Sequence, residues 1–240
     1  MIIADYHTHS VFSKDARNTL EENILIAIQK GLKEIAVTEH SYTNLNGIKK
    51  GQFVEIKNEV ERLRKQYPSI NILFGMEANL LNEDGDIDLS KDEQEQLDIV
   101  VLGYHKTCTS WKNFLRHLKM SWNSKKQIQR NTDAYIKAMK KNKVDILAHL
   151  GYVGKVDVLK LAEAALKNNV LVEFNRKQNW FTPYEVKKMV EMGVKFVANS
   201  DAHSAEDIGE NYKGVNFMLK YNIPESQMMN WNKLIELNKK

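Results

Sequence analysis

The chain has a single cysteine, Cys108, so an internal disulfide is excluded and a reducing compartment fits. Only three prolines and 11 glycines occur in 240 residues, and nowhere do Pro, Gly and Ser gather into a linker, so one domain spanning residues 1–240 is expected. No apolar run approaches the roughly 20 residues that cross a bilayer, and the start of the chain lacks the basic, apolar and small-residue succession of a secretory signal. A cytoplasmic location without a membrane partner is the expectation. Neither sign of charge dominates: 35 Lys+Arg stand against 31 Asp+Glu, a net charge of +4 spread over helix faces. That leans mildly toward anionic ligands and gives no argument for nucleic acid as a partner.

What is present is an alternation of apolar strand-like runs with amphipathic helical stretches, the pattern of βα units around a parallel sheet. Strands are expected at Ile2–Ala4, Glu34–Thr38, Asn71–Met76, Asp98–Gly103, Val144–Ala148, Val170–Val172 and Val194–Asn199. Between them, Thr19 and Glu22 have capping-box spacing for a helix that Gly31 stops, and Phe53, Ile56, Val60, Leu63 and Tyr67 form a core-facing stripe ended by Pro68. Ser124 with Gln127, and Thr182 before Pro183, open further helices, and Val158–Asn168 reads as another. Gly214–Leu219 reads as one more short strand and Glu225–Asn238 as a closing helix. The acidic stretch from Asn82 to Glu95 lacks the spacing to a bidentate glutamate that a calcium loop needs, so it reads as a solvated loop with a short helix.

The histidines carry the functional signal. His7 and His9 lie two residues apart beyond an apolar strand, so they share a face and form half of a first-row metal site. Of the seven histidines, His7, His9, His40, His105, His149 and His203 all stand at or just beyond an expected strand end, and only His117 does not. In a closed parallel barrel those ends form one rim, where residues from several strands converge. Glu77 reaches the same rim from a further strand, and Asp201 from the strand that delivers His203. This crowd of nitrogen and oxygen donors without a thiolate suits Zn, Mn or Fe, and it exceeds what one tetrahedral ion could use.

At this point the chain resembles the polymerase and histidinol phosphatase (PHP) superfamily. The resemblance runs in order through DYHTHS at the start, Asp15, TEH at Glu39-His40, GME at Glu77, GYHK at His105, AHLG at His149 and NSDAHS at Asp201-His203. It implies an α/β fold, a distorted (β/α)7 TIM-like barrel, and a cofactor of three divalent metal ions. By that resemblance His7, His9, Glu77 and Asp201 hold the first ion; Glu77, His105 and His149 the second; Asp15, His40 and His203 the third. Asp5 and Glu39 stand beside ligands and are expected to orient them or serve the fold, while Glu173 and Asn175 face the rim with no ligand role assigned.

Such a centre hydrolyses phosphate esters. A metal-dependent phosphomonoesterase is the leading expectation, with L-histidinol phosphate or another small phosphorylated metabolite as substrate. On that resemblance a group near Asp15, His40 or His203 is expected to protonate the leaving alkoxide, and Arg17, Lys106 and Arg176 are candidates to neutralise a phosphate oxygen. The alternatives are a phosphodiesterase or nuclease using the same metals, and a non-catalytic accessory PHP module. The segment 106–123, with Trp111, Lys112, Phe114, Arg116, Lys119 and Trp122, reads as a lid over the rim, and as a nucleic-acid contact under the nuclease alternative.

Overall fold

The computed structural model describes residues 1–105, 124–177 and 181–232. The expected lid at 106–123, with Lys106 and Cys108, therefore lies outside the described residues. Seven strands pair in chain order: β1 (Ala4–Asp5), β2 (Glu34–His40), β3 (Asn71–Asn79), β4 (Ile99–Gly103), β5 (Ile146–Leu147), β6 (Leu171–Asn175) and β7 (Phe196–Asn199). Every pairing is parallel. Helices α1 (Leu20–Gln29), α2 (Gln52–Gln66), α3 (Lys91–Gln96), α4 (Lys125–Lys141), α5 (Val158–Lys167) and α6 (Pro183–Glu191) fall between successive strands, and α7 (Tyr212–Lys220) follows β7. This is the expected distorted (β/α)7 barrel. No helix among the described residues is long and apolar enough to cross a membrane.

The strands are apolar almost continuously because both faces are covered. Alternate residues sort to two cores. Ala36, Ile99, Val101, Ile146, Ala148 and Val197 pack together inside the barrel, while Ile35, Val37, Val100, Leu102, Leu147 and Phe196 face the helices. Local signals set the helix starts: the Thr19–Glu22 and Thr182–Glu185 capping boxes both form, and Ser124 accepts from the Gln127 amide.

Two expectations are corrected. Residues 214–219 are not a strand but part of α7, because the Asn211 side chain accepts the Gly214 amide at 2.7 Å and caps a helix there. Gly214 lets that helix lie on the sheet: a Cβ would meet the Ala198 Cβ at 2.9 Å. Likewise Glu225–Gln227 forms only a 3-10 turn, after which Met228 bridges Phe196 and Trp231 bridges Ile2; residues 233–240 lie outside the described residues.

Side chains join β7 back to β1 where the ladder is thin. Thr8 bridges Ala202, the Tyr6 amide donates to Asn199 Oδ1 at 3.1 Å, and Asn230 Nδ2 donates to the carbonyls of Ala4 and Ala198, both at 2.8 Å. Fully buried Asp5 accepts from the Ser200 amide at 3.1 Å, the Ser200 hydroxyl and the Gly209 amide at 2.8 Å. Asp5→Ala would strand these buried donors at the seam, so it should cost about 3 kcal/mol or more. A urea midpoint within error of wild type would show that the seam does not depend on Asp5.

Candidate metal centre

Each strand carries its last side chains over the same end of the barrel. The β2–β3 register sets His40 directly beside Glu77, and β6–β7 sets Asn175 beside Asn199. On β4 the inward parity of Ile99 and Val101 runs on through Gly103 to His105. On β5, Ile146 and Ala148 face inward, so His149 would point away; a φ of +33° breaks the alternation and turns its imidazole over the barrel. Asp201 also takes a left-handed φ, +52°. Backbone strain at two converging side chains is what a surrounding structure sustains at a functional site.

All nine expected ligands meet there. Glu77 is fully buried at the middle: its Oε1 lies 3.3 Å from His7 Nε2, 3.0 Å from His105 Nε2 and 2.9 Å from His149 Nε2. Its Oε2 lies 3.7 Å from His9 Nε2 and 2.5 Å from His40 Nδ1. Asp201 Oδ1 is 3.4 Å from His9 Nε2, and Asp15 Oδ2 is 3.5 and 3.6 Å from the Nε2 atoms of His40 and His203. Among the described residues, four sets have ligand atoms within 4.8 Å of one another: His7, His9 and Asp201; His7, Glu77 and His149; His40, Glu77 and His105; His9, His40 and His203. The ligands thus form a continuous ring rather than three separate cups.

The chemistry of the ring fits metal ions. His7 Nδ1 bonds Glu173 Oε1 at 2.8 Å, His105 Nδ1 bonds Asn79 Oδ1 at 2.6 Å, and His203 Nδ1 bonds the Asp201 carbonyl at 2.9 Å. For His7 and His105 the acceptor is a side-chain oxygen, so the proton of the neutral ring sits on Nδ1 and the lone pair of Nε2 is aimed inward. Behind His9 the arrangement has one more member: Ser13 Oγ gives its proton to Glu39 Oε2 and lies 3.4 Å from His9 Nδ1. His7 Nε2, His9 Nε2, His40 Nδ1 and Glu77 Oε2 are all buried without a hydrogen-bond partner, His40 and Glu77 touching at an angle that makes none. Four orphaned polar atoms from four residues at one point would cost several kcal/mol, and a cation is the partner that satisfies lone pairs alone.

With no ion bound, the carboxylates and imidazoles of the ring shift one another's titration. Burial opposes ionisation of Glu77, yet His105, His7 and His40 outweigh it and hold the carboxyl well below its ordinary range. Burial and the neighbouring His40 push His9 well below the usual histidine value. For His40 the carboxylates of Glu77 and Asp15 overcome burial and raise it to about 10. Asp15, against its own partial burial, is held low by His203 and His40.

The other candidates separate. Arg176 is tied to Asp207 at 2.6 Å, and Arg17 lines an adjoining 460 Å³ cavity rather than the ring itself; Lys106 lies outside the described residues. Three participants had no role assigned from the sequence. Glu173 collects His7 Nδ1, the His149 amide at 3.0 Å and Asn199 Nδ2 at 3.0 Å. Asp88, from the acidic stretch, accepts from the Asn79 amide at 2.8 Å and from Ser41 and Thr43, fixing the residue that orients His105. Lys177 reaches back from the end of β6 to the Asp201 carbonyl at 2.7 Å. A residue at a strand end hints at Glu173; nothing local marks the other two. Glu173→Gln keeps the shape but turns one acceptor into a donor, so metal affinity should fall roughly 10- to 100-fold. Competition with a metallochromic chelator measures this, and unchanged affinity would remove Glu173 from the support of His7.

The PHP domain model matches residues 5–177. A "Probable phosphatase" of Caldanaerobacter subterraneus subsp. tengcongensis is 30% identical over 238 residues, covering 95% of this chain and 87% of its own length. A second "Probable phosphatase", from Shewanella piezotolerans, is 28% identical over 237 residues, with 95% and 89% covered. Among solved structures, histidinol phosphate phosphatase from Lactococcus lactis subsp. lactis, complexed with zinc, L-histidinol and phosphate, superposes with a TM-score of 0.63 at 18% identity, covering 92% of this chain and 94% of that one. At that identity the likeness is one of fold. With seven parallel strands carrying the DYHTHS, TEH, GME and NSDAHS ligands to one rim, and with the domain match over residues 5–177, the chain belongs to the PHP domain family.

Proposed function

We propose that this chain, as a single PHP barrel, is a metal-dependent phosphomonoesterase whose centre holds three divalent ions, Zn, Mn or Fe. The observation that carries the reading is the cluster of orphaned buried atoms on His7, His9, His40 and Glu77. The names of the curated relatives and the zinc, L-histidinol and phosphate of the Lactococcus lactis neighbour support it. The residue sets are those of the family resemblance: His7, His9, Glu77 and Asp201; Glu77, His105 and His149; Asp15, His40 and His203. Bound there, the ions would supply Lewis acidity toward the phosphate and acidify water toward neutral pH.

The chain's own residues do the rest. Glu173, Asn79 and Ser13 hold the imidazoles of His7, His105 and His9 in the orientation that keeps Nε2 inward. Asp15 stands at the boundary between the ring and the 460 Å³ cavity, which Arg17, Asn18, Glu22, His203, Ser204 and Asp207 also line. A leaving group directed into that cavity would meet Asp15, His40 or His203 as the nearest proton donor or relay. The cavity offers both signs of charge, so a small polar alcohol such as L-histidinol is compatible with it. Partners are small phosphorylated metabolites on this reading, and the diesterase or nuclease alternative rests on the segment 106–123.

The test is phosphate release from a panel of small monoesters, diesters and single-stranded DNA by metal-reconstituted protein, alongside elemental analysis. Two to three equivalents of metal and the highest kcat/KM on a monoester are expected. A diester or DNA exceeding every monoester would reverse the assignment, and trace metal after reconstitution would sink the centre itself.

A further inference from the structure

A 220 Å³ cavity sits over the ligand ring, walled by Asp15, His40, His105, His149, Asp201 and His203 together with Asn44, Asn46, Tyr152 and Lys177. Among these residues Lys177 is the one permanent cation. Its ammonium is placed by a hydrogen bond to the Asp201 carbonyl at 2.7 Å. It also lies 3.1 Å from His203 Nδ1, itself 2.9 Å from the same carbonyl, so the lysine donates there whenever that nitrogen carries no proton. Among the described residues, at least one of the three ammonium N–H groups is therefore uncommitted at the mouth of the cavity.

The two arginines near this rim are placed differently. Arg176 is committed to Asp207 at 2.6 Å, and Arg17 lines the adjoining cavity. Lys177, by contrast, makes no ion pair among the described residues: it is held to a ring residue's carbonyl beside His203 and is otherwise exposed, the arrangement of a side chain that can turn its charge onto an incoming anion. Its flexible stem and compact charge suit a phosphate oxygen approached from one side.

We infer that Lys177 is the phosphate-binding cation of the centre, its ammonium taking a non-bridging oxygen of the ester while the leaving group points into the cavity beyond Asp15 and His203. This inference rests on the phosphatase reading above. It places Lys177 as a substrate-binding residue, contributing to affinity for the phosphoryl group more than to the retention of metal.

Zinc-reconstituted wild type, Lys177→Met and Lys177→Arg would be compared by calorimetric titration with inorganic phosphate, by kinetics on p-nitrophenyl phosphate, and by metal content and Tm. The methionine variant should keep metal content and Tm while its Kd for phosphate and its KM rise roughly tenfold or more, the loss typical of a hydrogen bond between charged groups. Arginine should restore both to within a few-fold. Wild-type-like Kd and KM in Lys177→Met, or a loss that tracks metal content or Tm, would overturn the assignment and leave Lys177 as a clamp on the Asp201 loop. Phosphate binding that depends on Lys177 in a protein hydrolysing no ester would uphold the subsite while overturning the hydrolase reading. A wild type that binds no phosphate would overturn the subsite.

Discussion

Glu77→Gln should leave a folded barrel that has lost at least one metal equivalent and retains less than about one hundredth of the monoesterase activity, a loss beyond that seen for partners outside a metal's ligand shell. The reason is geometric. Three Nε2 atoms, of His7, His105 and His149, lie within 3.3 Å of one Glu77 oxygen, while His40 Nδ1 lies 2.5 Å from the other. In the proposed centre this carboxylate would belong to two of the three ligand sets, so its charge would serve both. An amide has the same shape but no charge, and one of its two positions becomes an N–H pair directed at imidazole lone pairs or at a metal. The fold should persist because the change is isosteric and β3 keeps its ladder with β2 and β4. Far-UV circular dichroism, elemental analysis and kcat/KM separate the outcomes. Activity within a few-fold of wild type, with full metal content, would show that Glu77 bridges nothing.

Gly103→Ala should be nearly as damaging although glycine supplies no ligand. Position 103 follows Ile99 and Val101 on the inward parity of β4 and lies directly under the ring. A Cβ there would stand 2.8 Å from His149 Cε1, 3.0 Å from Glu77 Oε1 and 3.0 Å from His105 Cε1. One methyl group thus presses on three proposed ligands at once; the His105 ring is held behind by its bond to Asn79, and the His149 backbone is anchored by its amide's bond to Glu173. A displacement on the order of 1 Å at a reacting centre costs roughly a hundredfold, so kcat/KM should drop by about that factor with metal binding weakened. Stability of the metal-free protein should change less, because the crowded atoms are side-chain ends that can separate when no ion holds them. A variant with wild-type activity and metal affinity would mean that the ring yields freely and that the glycine answers only to backbone packing.

Much of this architecture is local and could be read residue by residue. The capping boxes at Thr19–Glu22 and Thr182–Glu185 form as their spacing predicts, since an N-cap needs only groups three residues apart. The six rim histidines were legible because each stands at a strand end, and a parallel barrel collects its strand ends on one side. Where the readings differ, a non-local partner decides. Residues 214–219 carry strand-like composition but become helix because Asn211, held by donating to the carbonyls of Phe174 and Asn199, caps them there. The acidic stretch reads as solvated, yet Asp88 folds back onto Asn79, Ser41 and Thr43.

By itself, then, the sequence determined the class of fold, the order of its elements and the identity of the candidate ligands, because hydrophobic period, caps and strand-end motifs are all written within a dozen residues of each other. Only the tertiary structure decided how those ligands share space: that Glu77 sits beside His40 through the β2–β3 register, that His149 turns inward through a left-handed backbone, and that Lys177 faces the cavity while Arg176 is spent on Asp207. Register, barrel closure and side-chain pairing join residues as far apart as Asp5 and Ser200. Such contacts depend on the packing of the whole chain, and no stretch of sequence read alone contains both partners.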